Sequence, residues 1–157
     1  MVNIALLGCN GKMGKAVTSA VQSRNDCEIV FGADPFGTPA YDYPVFESLA
    51  VSDKKADVII DFSNPASLDD ILAYALEKKI PCVLCTTGYS PEQVEKIKKA
   101  SESVAVFYSG NMSLGINLLI ELSKEAAKIL GAADFDIEIV EKHHNQKIDA
   151  PSGTALM

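Results

Sequence analysis

The sequence predicts an α/β fold: a doubly wound parallel sheet with helices on both faces, followed by the beginning of an α+β segment. Three observations carry this reading. Short apolar runs alternate with stretches of helical periodicity as far as Asn111. The first apolar run closes in a glycine-rich loop that opens directly into a helix. Beyond Asn111 the pattern changes to one long amphipathic helix, and then to a run alternating apolar with acidic residues.

Taken in order, "VNIALLG" (2–8) is continuously apolar, as a strand buried on both faces must be. "KMGKAVTSAVQS" (12–23) predicts a helix with its apolar side at Met13, Ala16, Val17, Ala20 and Val21. "CEIVFGAD" (27–34) and "DVIIDFS" (57–63) are a second and a third strand, and a helix begins after Pro65. Between them, 36–53 reads as a turn-rich connection with little regular structure. "PCVLCTTG" (81–88) is a fourth strand. Ser90 as N-cap, Pro91 at the first helical position and Glu92 in the first turn signal the next helix. "VAVFYSGN" (104–111) is the fifth strand, and "GINLLIELSKEAAKILG" (115–131) a long amphipathic helix. "DFDIEIVEKHH" (134–144) sets Ile137 and Ile139 against Glu138 and Glu141, the alternation of a strand with one wet face. It is expected to open a different sheet.

With 157 residues, 48% hydrophobic and 22% charged, the chain can bury a core and is not a disordered polymer. A net charge of −7 leaves no basic face for nucleic acid, so any anionic ligand needs local groups such as helix N-termini. No apolar run is long enough to span a bilayer, and the N-terminus lacks the features of a secretory signal, so the expected location is cytoplasmic. Cys9, Cys27, Cys82 and Cys85 show no disulfide framework. Cys82 and Cys85 have CxxC spacing but fall on a buried strand, where residues three apart face opposite sides, so core cysteines are expected.

"GCNGKMG" places Gly8, Gly11 and Gly14 after a strand and at the start of a helix. This is a GxxGxxG variant of the dinucleotide fingerprint: the glycines allow a tight turn and close approach to a pyrophosphate, which the helix N-terminus attracts. Asp34 closes the second strand 20 residues after Gly14, where an acidic residue would take the adenosine ribose hydroxyls. Asp34 suits a free 2′-hydroxyl and repels a 2′-phosphate, and Pro35 offers no compensating base. Lys12 is the only obvious cation within reach, so NADH is favoured and NADPH tolerated. "DFSNP" (61–65), "TTG" (86–88) and "SGNMS" (109–113) all fall at strand C-terminal ends on the same edge of the sheet, where open α/β sheets bind ligands.

The only two histidines, His143 and His144, stand side by side, with Lys147 four residues beyond His143. A histidine is the natural general acid near neutral pH, and a lysine can polarise an electrophile or bind a carboxylate. Pro151, Ser152, Gly153 and Thr154 read as a turn feeding a helix, whose N–H groups and hydroxyls would cradle a carboxylate. Zinc is disfavoured: adjacent histidines on an extended chain diverge, and no cysteine accompanies them.

These residues carry a specific resemblance. "GCNGKMG", "DFSNP", "TTGY", "GNMSLGIN" and above all "EIVEKHHNQKIDAPSGTA" resemble the dihydrodipicolinate reductase family of the lysine and diaminopimelate pathway, over nearly the whole chain. The resemblance implies a Rossmann-type dinucleotide-binding domain over 1–112 and, over 113–157, the start of a substrate domain, usually assembled as a homotetramer. It implies His143 as general acid with Lys147 as its catalytic partner. His144 would help bind substrate, and Ser152, Gly153 and Thr154 would hold a carboxylate. On the cofactor side it implies Gly8, Cys9, Asn10, Gly11, Lys12 and Met13, then Asp34, then Cys85, Thr86 and Thr87, then Ser109, Gly110, Asn111 and Met112, with no metal. The implied reaction is hydride transfer from NADH or NADPH to a cyclic unsaturated dicarboxylate. Members of the family continue well past the signature, so the expectation is a truncated product in which the Glu138–Glu141 strand has an unpaired edge and an uncovered apolar face. The alternative is a catalytically incompetent NAD(P)-binding fragment.

Overall fold

β1 (Val2–Leu7) lies at the centre of a sheet because both of its faces are apolar. Ile4 and Leu6 point to one side, Ala5 and Leu7 to the other, and all four are buried. The computed structural model describes residues 1–36, 41–145 and 150–157, in two units, Met1–Tyr108 and Ser109–Met157.

In the first unit the chain runs from β1 through α1 (Lys12–Gln22), β2 (Cys27–Ala33), β3 (Val45–Phe46) and a 3₁₀ turn at Leu49–Val51. It continues through β4 (Val58–Asp61), a 3₁₀ turn at Pro65–Ser67, α2 (Leu68–Lys78), β5 (Cys82–Leu84), α3 (Pro91–Ser101) and β6 (Val106–Tyr108). The six strands are all parallel, in the order β3-β2-β1-β4-β5-β6. This is the doubly wound order of the Rossmann fold, as the alternation in the sequence predicts. From β1 the chain first winds outward through β2 and β3, then returns and winds the other way through β4 to β6. The reversal makes the C-terminal ends of β1 and β4 a topological switch point.

One face of the sheet packs Ala5, Leu7, Phe31, Ile59 and Leu84 against Leu68, Ile71 and Ala75 of α2 and Ile97 and Ala100 of α3. The other packs Ile4, Leu6 and Ile29 against Val17 and Val21 of α1 and Tyr41 and Tyr43. The start of α3 is as the sequence predicts. The Ser90 hydroxyl accepts from Gln93 N (3.3 Å) and Gln93 Oε1 accepts from Ser90 N (3.0 Å), a reciprocal capping box. Gln93 Nε2 also donates to Pro65 O (2.6 Å), which ties this helix start to the turn after β4.

The structure corrects three expectations. The buried side of α1 is Gly14 and Thr18, flanked by Val17 and Val21, whereas Met13, Ala16 and Ala20 are exposed. Gly14 sets this rotation, because a Cβ there would lie 2.3 Å from Gly8 O and 2.5 Å from Cys9 Cα. The segment 36–53 contributes β3, whose two residues are too few to show alternation and which pairs with Gly32 and Ala33 of β2. The run 134–144 is no strand: the described residues of the second unit form only α4 (Leu114–Gly131) and the short α5 (Gly153–Leu156). Alternation selects a face, but a strand exists only as part of a backbone ladder, and among the described residues no ladder includes this run.

All four cysteines are free. The Cys9, Cys82 and Cys85 thiols are each pushed from 9.0 to about 11, first by burial and then by the charge of Asp34 for Cys9 and of Asp61 for the other two. The thiolate is the nucleophile, so raising the pKa by this much lowers its population at pH 8 by about 100-fold. Cys9, Cys82 and Cys85 are therefore expected to react with a disulfide reagent at pH 8 about 100-fold more slowly in the folded chain than in denaturant. Equal rates with and without denaturant would contradict this environment. Gly14→Ala is expected to cost about 1–3 kcal/mol in denaturant unfolding, because two backbone segments must part. Gly11→Ala, whose Cβ would meet only Gly8 O at 3.2 Å, should cost less. Equal losses would contradict the packing role of Gly14.

Candidate dinucleotide cleft and histidine loop

The switch point is a cleft of about 780 Å³ in the first unit, walled by the glycine loop, the end of β2, the turn after β4 and one side of α2. Its floor depends on Gly8. That residue has φ +69°, and a Cβ on it would lie 2.4 Å from Phe62 O and 3.0 Å from Ser63 Cα. Only glycine brings the β1 and β4 loops this close. Gly11 is the N-cap of α1 and supplies no side-chain acceptor, so the first N–H groups of that helix are not capped by a side chain. An anion is favoured there by both the free N–H groups and the helix dipole.

Asp34 stands at the other end of the loop. Its Oδ2 accepts from Asn10 N (3.0 Å) and its Oδ1 from Phe36 N (2.9 Å), and Asn10 Nδ2 donates to Phe36 O (2.6 Å). The acid therefore organises the glycine loop, and each oxygen keeps a lone pair for a further donor. Glu47, Asp70 and Glu77 line the same cleft, and no Lys or Arg is among the described residues lining it. Behind the loop, Tyr41 donates to Cys9 O (2.8 Å) and stacks on Tyr43 at 4.8 Å between centroids.

Of the sequence-predicted cofactor residues, Gly8, Asn10, Gly11 and Asp34 face this cleft. Cys9 is fully buried and turned into the sheet, while Lys12 and Met13 are exposed on the first turn of α1. Cys85, Thr86 and Thr87 follow β5 beside the end of β4, where Cys85 N donates to Asp61 O (2.9 Å). Thr86 is buried, and its hydroxyl has no partner in hydrogen-bond geometry among the described residues, although it lies close enough to Tyr89 to favour that phenol's ionised form. An orphaned buried hydroxyl and a glycine cradle that any Cβ would fill are what a bound dinucleotide requires of this edge. The residues present fit such a group.

Sequence reasoning read Asp61 only as the first residue of the "DFSNP" edge run and not as a buried acceptor; it is the last residue of β4. It is fully buried, with Oδ1 accepting from Ser63 N (2.9 Å) and from the Ser63 hydroxyl, and Oδ2 accepting from the Tyr89 hydroxyl (3.1 Å). Burial and the charge of Asp61 push the Tyr89 phenol up. An acid ending the apolar run "DVIID" was the available signal.

Within the second unit, Ser109, Asn111 and Thr154 come together. Asn111 Nδ2 donates to Thr154 Oγ1 (2.9 Å), and the Ser109 hydroxyl donates to Asn111 O (2.9 Å). Gly110 and Met112 flank Asn111 in this loop. The Ser152 hydroxyl caps α5 by accepting from Ala155 N (3.1 Å), with Gly153 and Thr154 in the first turn of that helix. Glu141 joins the two halves of the signature: Oε1 accepts from Ser152 N (2.8 Å), and Oε2 lies 3.4 Å from His143 Nδ1. Positions two apart on an extended chain point the same way, which puts Glu141 and His143 on one side. That spacing was legible in "EKH" and passed unused. His144 is exposed, and Lys147 lies outside the described residues.

The family model described as "Dihydrodipicolinate reductase, N-terminus" matches residues 2–112, and "Dihydrodipicolinate reductase, C-terminus" matches residues 115–157. Among curated relatives, the 4-hydroxy-tetrahydrodipicolinate reductase of Clostridium tetani is 52% identical over all 157 residues, and that of Caldanaerobacter subterraneus is 49% identical. The chain spans 61% of the length of each. A dipicolinate-bound dihydrodipicolinate reductase from Paenisporosarcina sp. TG-14 is 30% identical and superposes with a TM-score of 0.76 over 99% of this chain and 63% of its own. A myo-inositol dehydrogenase from Corynebacterium glutamicum, 23% identical with a TM-score of 0.55 over 82% of this chain and 42% of its own, shares the fold alone. With matches to both halves covering nearly every residue, the chain belongs to the dihydrodipicolinate reductase family.

Proposed function

We propose that this chain carries the dinucleotide-binding domain (1–112) and the start of the substrate domain (113–157) of an NAD(P)H-dependent reductase acting on a cyclic unsaturated dicarboxylate, dihydrodipicolinate, in lysine and diaminopimelate biosynthesis. The observation that carries it is the switch-point cleft itself, in a chain whose relatives are reductases of this kind. When bound, the reduced nicotinamide supplies the hydride.

The protein's residues do the rest. Gly8 to Met13 wrap a pyrophosphate, with the uncapped backbone N–H groups at the start of α1 donating to it, and Asp34 accepts from the adenosine ribose. The anionic lining of the cleft favours NADH over NADPH, because a 2′-phosphate would add charge beside Asp34 and Glu47. Thr86 and Thr87, with Ser109 to Met112, take the remaining polar groups of the cofactor. His143 gives a proton to the carbon next to the one reduced, its ring oriented by Glu141. Lys147 acts beside it, His144 contacts the substrate, and Ser152, Gly153 and Thr154 hold a substrate carboxylate. We place the protein in the cytoplasm as a homotetramer, following the family resemblance.

The share of its relatives that this chain spans favours a second reading, in which the 157 residues bind the dinucleotide without turning over substrate. Calorimetry and a turnover assay on the isolated chain separate the two: binding alone supports the second reading, and turnover removes it. In the full-length protein, His143→Ala is expected to lower kcat for NADH oxidation by about 100-fold or more. Full activity in that variant would overturn the assigned acid. Binding of NADPH as tight as NADH would overturn the role of the anionic lining.

A further inference from the structure

The turn after β4, the loop after β5 and the end of β6 meet at one buried acid. Asp61 receives two hydrogen bonds from Ser63, one from the backbone and one from the hydroxyl, which folds the β4 turn back over its own strand. It receives a third from Tyr89, 28 positions later and just beyond Thr86, Thr87 and Gly88. Tyr89 in turn packs edge-on against Tyr108, the last residue of β6, at 5.5 Å between centroids. A carboxyl with no exposure is costly to bury, and an apolar residue of similar volume would stabilise the fold as well or better. What the acid adds is connection. Without it the segments keep their apolar contacts, the backbone bond from Cys85 N to Asp61 O and the Gln93–Pro65 tie, but lose the side-chain link that joins the β4 turn to Tyr89.

The glycine loop and Asp34 take the pyrophosphate and adenosine ends of a dinucleotide, so its other half must extend over the ends of β4 and β5. That is where this cluster sits. The orphaned Thr86 hydroxyl lies three residues before Tyr89 on the same loop and beside its phenol.

We propose that Asp61 is a positioning residue that, through Ser63 and Tyr89, holds the loops after β4 and β5 in the arrangement that receives the nicotinamide half of the cofactor. The inference rests on the dinucleotide reading of the cleft. It predicts a split that a purely structural role would not give. ADP, which uses only the glycine loop and the Asp34 end, should bind Asp61→Asn and Tyr89→Phe as it binds the parent chain. NADH should bind each variant about tenfold more weakly, the size expected for losing a hydrogen bond to a charged group. The double variant should be no weaker than Asp61→Asn alone, because both changes cut one linkage.

The test is fluorescence titration with NADH and calorimetry with ADP on the 157-residue chain. If Asp61→Asn does not fold, Tyr89→Phe, which removes a single hydroxyl, reads the same split. Equal losses for ADP and NADH, no loss of NADH in a folded variant, or additive losses in the double variant would each overturn the positioning role while leaving the cleft assigned. A parent chain that binds neither ligand would overturn the dinucleotide reading and the positioning role together.

Discussion

Everything in the first unit depends on how closely the chain can pass itself at Gly8. Gly8 N donates to Ala33 O at 2.9 Å and Phe62 N to Leu7 O at 3.1 Å, so the ends of β2, β1 and β4 are laced together just where the chain leaves the sheet. A side chain at Gly8 would collide with the Phe62 carbonyl, and one at Gly14 with the Gly8 carbonyl. These two contacts keep α1 against the sheet with its N-terminus aimed over the strand ends. They also hold open the cleft in which that N-terminus acts. Packing and anion recognition thus come from the same backbone geometry.

Two acids then tie the loops around that geometry. Asp34 binds the backbone N–H groups of Asn10 and Phe36, joining the loops after β1 and β2. Asp61 binds Ser63 and Tyr89, joining those after β4 and β5. In a chain of net charge −7, no Lys or Arg is among the described residues lining the cleft, and N–H and O–H donors satisfy both carboxyls. A third acid, Glu141, does similar work in the second unit by linking His143 to the Ser152 turn. In the first unit, backbone N–H groups and hydroxyls shape each of these loop clusters.

What the sequence showed in advance was whatever a short window determines. The β1–loop–α1 unit, Asp34 at its distance from Gly14, and the Ser90 cap are local patterns with one physical interpretation each. Alternation and right-handed crossovers gave a parallel sheet of five strands with their C-terminal ends along one edge, whereas β3, with two residues, left no periodic trace. Three-dimensional partnerships were less visible. The buried side of α1 is set by contact of Gly14 with Gly8 and Cys9, so Val17 and Val21 pack on the core while Met13, Ala16 and Ala20 are exposed. Asp61 meets Tyr89 across 28 positions, and no spacing rule connects them. The run 134–144 has the alternation of a strand, but among the described residues no strand ladder includes it.

The most direct test of this account is an amide NMR titration of the chain with NADH. The account predicts shifts concentrated at Cys9 to Met13, at Phe36, and at Phe62 to Ser63, where the glycine loop and its neighbours form the wall of the cleft. Shifts scattered over the surface, or absent from the glycine loop, would contradict it.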